Sequence, residues 1–282
     1  MDVVKTIEEV RALRHADPIP SWGLVPTMGA LHEGHLSLVD RARAECDRVA
    51  VSVFVNPTQF NNPEDLRNYP RDLERDTELL EQRGADLVWA PTEEIMYPPG
   101  FQTTVTVAEV TKPLEGAHRP GHFQGVTTVV AKLFNVVQPD RAYFGQKDAQ
   151  QVVVIRQMVR DLGFNVELRV SPIVREPDGL ALSSRNALLN PAEREAATVL
   201  YRALTAAVEE WQDGWPEAAH LRETMASTIT ADRLARLEYV SVADPETLHE
   251  LEDNAERALL SMAVYIGSTR LIDNMLVGVS EE

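Results

Sequence analysis

The 282-residue sequence holds a single cysteine, Cys46, which excludes an intramolecular disulfide framework and any cysteine-rich zinc or iron–sulfur site. That scarcity fits a reducing, cytoplasmic setting. No apolar run approaches the ~18 residues of a membrane span. Met1-Asp2-Val3-Val4-Lys5 offers no basic stretch leading into an apolar one. Neither export nor membrane insertion is expected. Basic residues are in deficit, 27 Lys and Arg against 44 Asp and Glu, giving a net charge of −17. Such a surface repels phosphate backbones and argues against nucleic acid as a partner. Low-complexity tracts are missing too, and 44% hydrophobic with 25% charged residues is a globular composition.

The acidity is uneven. Between Thr111 and Arg185 there are 10 Lys and Arg against 7 Asp and Glu, so this middle stretch is where an anionic ligand is expected. The length favours one large domain or a nucleotide-binding domain with a smaller appendage.

The first half alternates strand and helix patterns. Thr6 and Glu9 have capping-box spacing ahead of a helix to about Arg14. Strands are expected at 22–25, 49–55, 86–89, 141–144 and 166–170. Helical patterns fall at 35–44, 72–82, 123–137 and 150–160. That alternation predicts an α/β fold, a doubly wound parallel sheet covered by helices on both faces. After about Val174 the rhythm changes. Asn190-Pro191-Ala192-Glu193 is a helix start, two helices are expected to about Thr230, and β-rich runs at 237–242, 258–266 and 270–273 suggest a small antiparallel sheet. The expected domains are 1–174 and a smaller α+β lid domain, 175–282.

Five segments can carry chemistry. Pro26-Thr27-Met28-Gly29-Ala30-Leu31-His32-Glu33-Gly34-His35 follows the first buried strand and precedes a helix, where free N–H groups and the helix dipole favour phosphate. His32 and His35, three apart, lie on one face if the helix has begun, and imidazole can donate to charge developing on phosphate. A zinc-chelating pair is the alternative, although the His-Glu-x-x-His spacing is missing. Asn56 and Gln59, in Phe54-Val55-Asn56-Pro57-Thr58-Gln59-Phe60, carry amides suited to a hydroxy acid, or else close a polar turn. In Gly145-Gln146-Lys147-Asp148-Ala149-Gln150-Gln151, Lys147 supplies a point charge, Asp148 an acceptor for ribose hydroxyls and Gln151 an amide one turn on. The P-loop pattern is not present. Leu182-Ser183-Ser184-Arg185 makes a mobile anion clamp, and His118-Arg119-Pro120-Gly121-His122 puts cationic or titratable groups before a long helix.

In this order and spacing, PTMGALHEGH, FVNPTQF, HRPGHFQGV, FGQKDAQQ and LSSRN resemble the pantothenate synthetase family, a branch of the nucleotidylyltransferase superfamily with a Rossmann-like domain. The resemblance covers Pro26 to Asn186 and continues more loosely to the end. It implies ATP-dependent joining of pantoate to β-alanine through an acyl-adenylate, with Mg²⁺ held mainly by the phosphates, no metal ligands from the protein, and a homodimer. It implies ATP contacts from Met28, Gly29, Ala30, Leu31, His32, Glu33, Gly34, His35, Gly145, Gln146, Lys147, Asp148, Val174, Leu182, Ser183, Ser184 and Arg185. Among these, His35, His32 and Lys147 are the expected catalytic residues. Pantoate and β-alanine fall to Gln59 and Gln151, with Asn56, Arg119 and His122 lining the same cavity. Leu182 stands where many relatives have Met, an exchange of apolar volume. Two rivals remain at this point: a cytidylyl- or adenylyltransferase that keeps the nucleotide on its product, and a non-catalytic nucleotide sensor.

Overall fold

The computed structural model describes residues 1–16, 20–214, 217–253 and 256–278. They form two compact units, Met1–Gly145 with Val154–Pro172, and Gln146–Val153 with Ile173–Glu282. The Gln146–Gln151 motif is therefore described with the second unit.

In the first unit β1 (Asp2–Val4), α1 (Ile7–Ala16), β2 (Trp22–Thr27), α2 (Glu33–Glu45) and β3 (Arg48–Val53) are followed by α3 (Pro63–Asn68), α4 (Leu73–Gln82) and β4 (Leu87–Trp89). Then come α5 (Glu93–Met96), α6 (Glu115–His118), α7 (His122–Val137), β5 (Arg141–Gly145), α8 (Ala149–Leu162), whose first turn belongs to the second unit, and β6 (Glu167–Ser171). The six strands are all parallel, in the order β1-β4-β3-β2-β5-β6.

Parallel strands are sheathed on both faces, so their sequences run almost continuously apolar, as Trp22–Val25 and Val49–Val51 do. Val25, Val49, Val51, Val88 and Tyr143 pack with Leu36, Val39 and Ala42 of α2 and Leu80 of α4. The residues that alternate with them, Leu24, Ala50, Leu87 and Ala142, are equally buried toward the opposite face, where α7 lies against β2 and α1 against α7. Thr6 and Glu9 form the anticipated box at the start of α1, each side chain accepting from the other's amide at 3.2 and 2.8 Å. The edge strand β1 was not expected. Three residues are too few for an alternation to register, and its place is fixed by pairing with Leu87–Trp89.

Strand order determines where a ligand can sit. From β2 the chain builds outward through β3 and β4, then returns to lay β5 on the other side of β2. Strand order reverses between β2 and β5, and doubly wound sheets bind ligands at the carboxyl ends of strands at such a switch point. Thr27 and Gly145 are the last residues of those two strands.

The second unit contains α9 (Pro191–Ala196), α10 (Val199–Gly214) and α11 (Ala218–Thr230), then β7 (Ala235–Ala243), β8 (Ala258–Ile266) and β9 (Thr269–Val277). The strands form an antiparallel sheet in sequence order. Leu260, Met262, Val264 and Ile266, at strand period on β8, pack with Leu200, Ala203, Leu204 and Ala207 of α10 and Leu221, Met225 and Ile229 of α11. Three helices stand where two were expected, because the helix begun at Pro191 breaks at Ala197–Thr198. At that turn the Thr198 hydroxyl donates to the Glu195 carbonyl at 2.8 Å and the Ala197 amide to the Glu193 carbonyl at 2.9 Å.

No helix among the described residues is long and apolar enough to cross a membrane. The start of α9 carries a measurable prediction. Asn190 accepts from the Glu193 amide and Glu193 from the Asn190 amide, both at 3.0 Å. Asn190→Ala removes the cap and should cost about 1 kcal/mol in urea unfolding. A change below about 0.3 kcal/mol would show that the box does not hold this helix.

Candidate functional site

The segment after β2 is shaped by a carboxylate from a distant helix. Asp76 of α4 is 1% exposed. Its two oxygens accept from the amides of Ala30 and Leu31, each at 2.8 Å. The Gly29 amide donates to the Thr27 hydroxyl at 3.2 Å, and that hydroxyl donates to the Ser52 carbonyl at 2.7 Å. Reaching Asp76 requires two successive residues at positive φ, Gly29 at +80° and Ala30 at +52°. A Cβ on Gly29 would also lie 2.9 Å from Asp76 Oδ2, so glycine is required there on two counts. Ala30 bears a strain of roughly 1–3 kcal/mol, offset by two charge-assisted hydrogen bonds.

Amides 29–31 thus point into the fold, and α2 begins beyond them at Glu33. His32 is the N-cap of α2 and its Nδ1 accepts from the Gly34 amide at 3.1 Å. Because Nδ1 is the acceptor, the neutral ring carries its proton on Nε2. The His35 amide donates to the His32 carbonyl at 2.8 Å, and the two rings lie 4.2 Å apart, centroid to centroid, at 38°. The helix begins only at Glu33, so His32 stands at its cap and not on its face, and the two rings meet across the first turn. Both Glu33 carboxylate oxygens accept from Arg83 Nη2, at 2.8 and 2.9 Å, at the surface.

The second cluster is organised around Asn56, 1% exposed. Its Oδ1 accepts from the Tyr97 hydroxyl at 2.8 Å and the Thr58 hydroxyl at 2.9 Å. Its Nδ2 donates to the Gly125 carbonyl and to Gln59 Oε1, both at 3.1 Å. With its donors and acceptor filled by the protein, Asn56 sets the position of Gln59. Gln59 Nε2 in turn donates to Met28 Sδ at 2.9 Å, joining this turn to the segment after β2.

The Gln59 carbonyl receives Arg119 at 3.3 Å and His122 Nδ1 at 2.8 Å. A carbonyl only accepts, so the proton of a neutral His122 is on Nδ1. Helix α7 comes this close because residue 125 is glycine. A Cβ there would stand 2.5 Å from the Thr58 carbonyl oxygen. Tyr97 is backed by Phe101 and by Lys132, whose ammonium lies 4.6 Å from the Phe101 ring and donates to the Met96 carbonyl. Burial raises the Tyr97 phenol above its ordinary pKa and lowers that of Lys132.

In the second unit Gln146–Asp148 forms one 3₁₀ turn leading into α8. Lys147 is half-buried, Asp148 exposed and Gln151 half-buried on the first turn of the helix. The Val174 carbonyl accepts from the Leu182 amide at 3.0 Å, closing a short hairpin-like excursion. Ser183 caps a 3₁₀ turn, Ser184–Leu188, its hydroxyl accepting from the Arg185 amide at 3.2 Å. Arg185 is exposed.

A family model for pantoate–β-alanine ligases matches residues 2–276. The chain belongs to that family. Pantothenate synthetase of Roseiflexus sp. strain RS-1 is 60% identical over 98% of this chain and 99% of its own. That of Moorella thermoacetica is 54% identical over the whole of both. The crystal structure of pantothenate synthetase from Thermus thermophilus superposes with a TM-score of 0.93 at 52% identity, covering 98% of this chain and 99% of that one. A Francisella tularensis pantoate-β-alanine ligase complexed with β-γ ATP and β-alanine gives 0.81 at 39%, covering 99% of each.

In this ligase-family chain, sequence reasoning missed Asp76 and Tyr97. An acidic residue in the first turn of a helix is ordinary, and no local pattern marks Asp76 as reaching a loop 45 residues earlier. Asp76→Ala leaves two inward amides without an acceptor, each costing roughly 1–3 kcal/mol. The variant should lose about 3 kcal/mol in urea unfolding and bind ATP more weakly by calorimetry. A loss under about 0.5 kcal/mol with ATP affinity intact would mean that Asp76 does not shape the segment.

Proposed function

We propose that the residues above divide the work of ATP-dependent condensation of pantoate with β-alanine. Condensation passes through pantoyl adenylate. A pantoate carboxylate oxygen attacks the α-phosphorus of ATP and pyrophosphate leaves. The neutral amine of β-alanine then attacks the acyl carbon, AMP departs with the C–O bond pair, and the nitrogen loses its extra proton to give the amide. The substrate carboxylate is itself the nucleophile, so no side chain has to form a covalent intermediate.

Proton and charge management falls to donors. The observation that carries this reading is the pair of adjacent, tilted histidine rings beside a loop whose amides at 29–31 are already taken. His32, with Nε2–H fixed by the Gly34 contact, orients the phosphates. His35 one turn on donates to charge developing as pyrophosphate leaves, and Lys147 adds a fixed positive charge. Met28–His35, Gly145–Asp148, Val174 and Leu182–Arg185 serve the nucleotide, with Glu33 contributing backbone because its carboxylate is engaged by Arg83. Gln59 and Gln151 bind the hydroxy acid. Asn56, Arg119 and His122 act on the Gln59 turn, which their contacts support.

Mg²⁺ enters as part of the Mg·ATP substrate, bound by phosphates and water. Mg²⁺ usually keeps several waters and is held by substrate phosphates with at most one or two carboxylates. We place the enzyme in the cytoplasm, in keeping with its single, buried cysteine, and as a homodimer on the family resemblance, which light scattering tests.

Exchange of labelled pyrophosphate into ATP should proceed with pantoate and no β-alanine. His35→Ala should slow that exchange about 100-fold, while pre-formed pantoyl adenylate and β-alanine still yield pantothenate near the unmutated rate. If exchange strictly required β-alanine, the two-step scheme would fail. Equal loss of both half-reactions in a folded mutant would remove the leaving-group role from His35.

A further inference from the structure

The final strand contains two polar residues, Asp273 and Asn274, that are 2% and 3% exposed. Asn274 Nδ2 donates to two successive carbonyls, those of Gln146 at 3.1 Å and Lys147 at 2.9 Å, and its Oδ1 accepts from Gln146 Nε2 at 3.1 Å. These two carbonyls flank the Lys147 Cα. Holding both fixes the peptide planes on either side of that carbon, and with them the direction in which the lysine side chain leaves the backbone.

Asn274 is itself braced. Its amide donates to Asp273 Oδ1 at 2.8 Å, and its carbonyl receives Arg175 at 3.3 Å. Arg175 forks onto Asp273 at 2.7 and 2.9 Å, also donates to the Gly179 carbonyl at 3.0 Å, and lies 4.9 Å from the Tyr201 ring centroid. A buried carboxamide committing both its protons to one turn, with a buried ion pair behind it, is far more apparatus than a surface turn requires.

We infer that Asn274 is a positioning residue for the ATP-dependent step, holding the Gln146–Lys147 turn so that the lysine ammonium is presented to the nucleotide's phosphates. This rests on the phosphate role given to Lys147 above. Asparagine fits the task. Aspartate of the same shape has no N–H and would set a carboxylate against two carbonyl oxygens, while alanine leaves both carbonyls without a donor.

The test uses the full chain carrying Asn274→Asp, Asn274→Ala or the milder Asn274→Ser, each alone and with Lys147→Ala. Folding is checked by circular dichroism, and steady-state constants are measured separately for ATP and pantoate. Lys147→Ala alone should lower kcat/KM for ATP. The Asn274 variants that fold should raise the ATP KM about tenfold and leave the pantoate KM within about twofold. Adding Lys147→Ala to them should bring little further loss, since a residue acting through another gives non-additive effects. Folded Asn274 variants with an unchanged ATP KM, with equal losses for ATP and pantoate, or with losses that simply multiply those of Lys147→Ala would overturn the assignment. If Lys147→Ala leaves ATP kinetics untouched, the phosphate role of Lys147 falls, and this inference falls with it.

Discussion

Two consecutive backbone amides bound to one buried carboxylate organise the nucleotide-signature half of this protein. Once Asp76 takes the amides of Ala30 and Leu31, the chain must turn through positive φ at Gly29 and Ala30, and α2 can begin only at Glu33, with His32 as its cap. Capping then selects the His32 tautomer, and one further turn brings His35 beside it. Asp76 belongs to α4, the helix that leads back into the sheet at β4, so the shape of the segment is tied to the packing of the α/β core. The donors proposed for ATP are therefore side chains on a rigid frame. Such a frame needs little reorganisation as charge moves in the transition state.

The same commitment of polar groups appears around Gln59. Asn56 directs its carboxamide to the protein, Gly125 lets α7 come against the turn, and the Tyr97 hydroxyl closes the set. The chain carries a net charge of −17, yet it must hold a polyanion. Local arrangement resolves this. The Asp76 carboxylate is occupied by amides of the signature segment, and Glu33 and Asp40 are drawn to Arg83. Those exposed pairs add little to stability, but the Arg83 cation partly offsets the two carboxylates.

Much of the architecture could be read from the residues. Buried parallel strands announce themselves as unbroken apolar runs, and the helix starts at Thr6, Asp72 and Asn190 carry side-chain caps. The signature segments could be located because glycine, histidine and amide clusters follow those strands directly. What escaped were features set by tertiary contact. β1 is only three residues long, and no glycine or proline marks the break at Ala197–Thr198. Asp76 looks like any acidic residue at a helix start. Asn56 reads as a ligand-binding amide until its partners are seen. Asn274, opposite Ser261 in the β8–β9 ladder, is indistinguishable in sequence from a solvent-facing strand residue. A residue type states which bonds it can make, and only the fold states which of them are already made.

On the function proposed here, the signature loop meets phosphate through side chains, the Ala30 and Leu31 amides being committed to Asp76. The most direct measurement is a crystal structure with a non-hydrolysable ATP analogue, reading the contacts of the Ala30 and Leu31 amides. Both amides should stay on Asp76 at hydrogen-bond distance while phosphate oxygens lie against the His32 and His35 rings. A phosphate oxygen accepting from either amide, with Asp76 displaced, would contradict it.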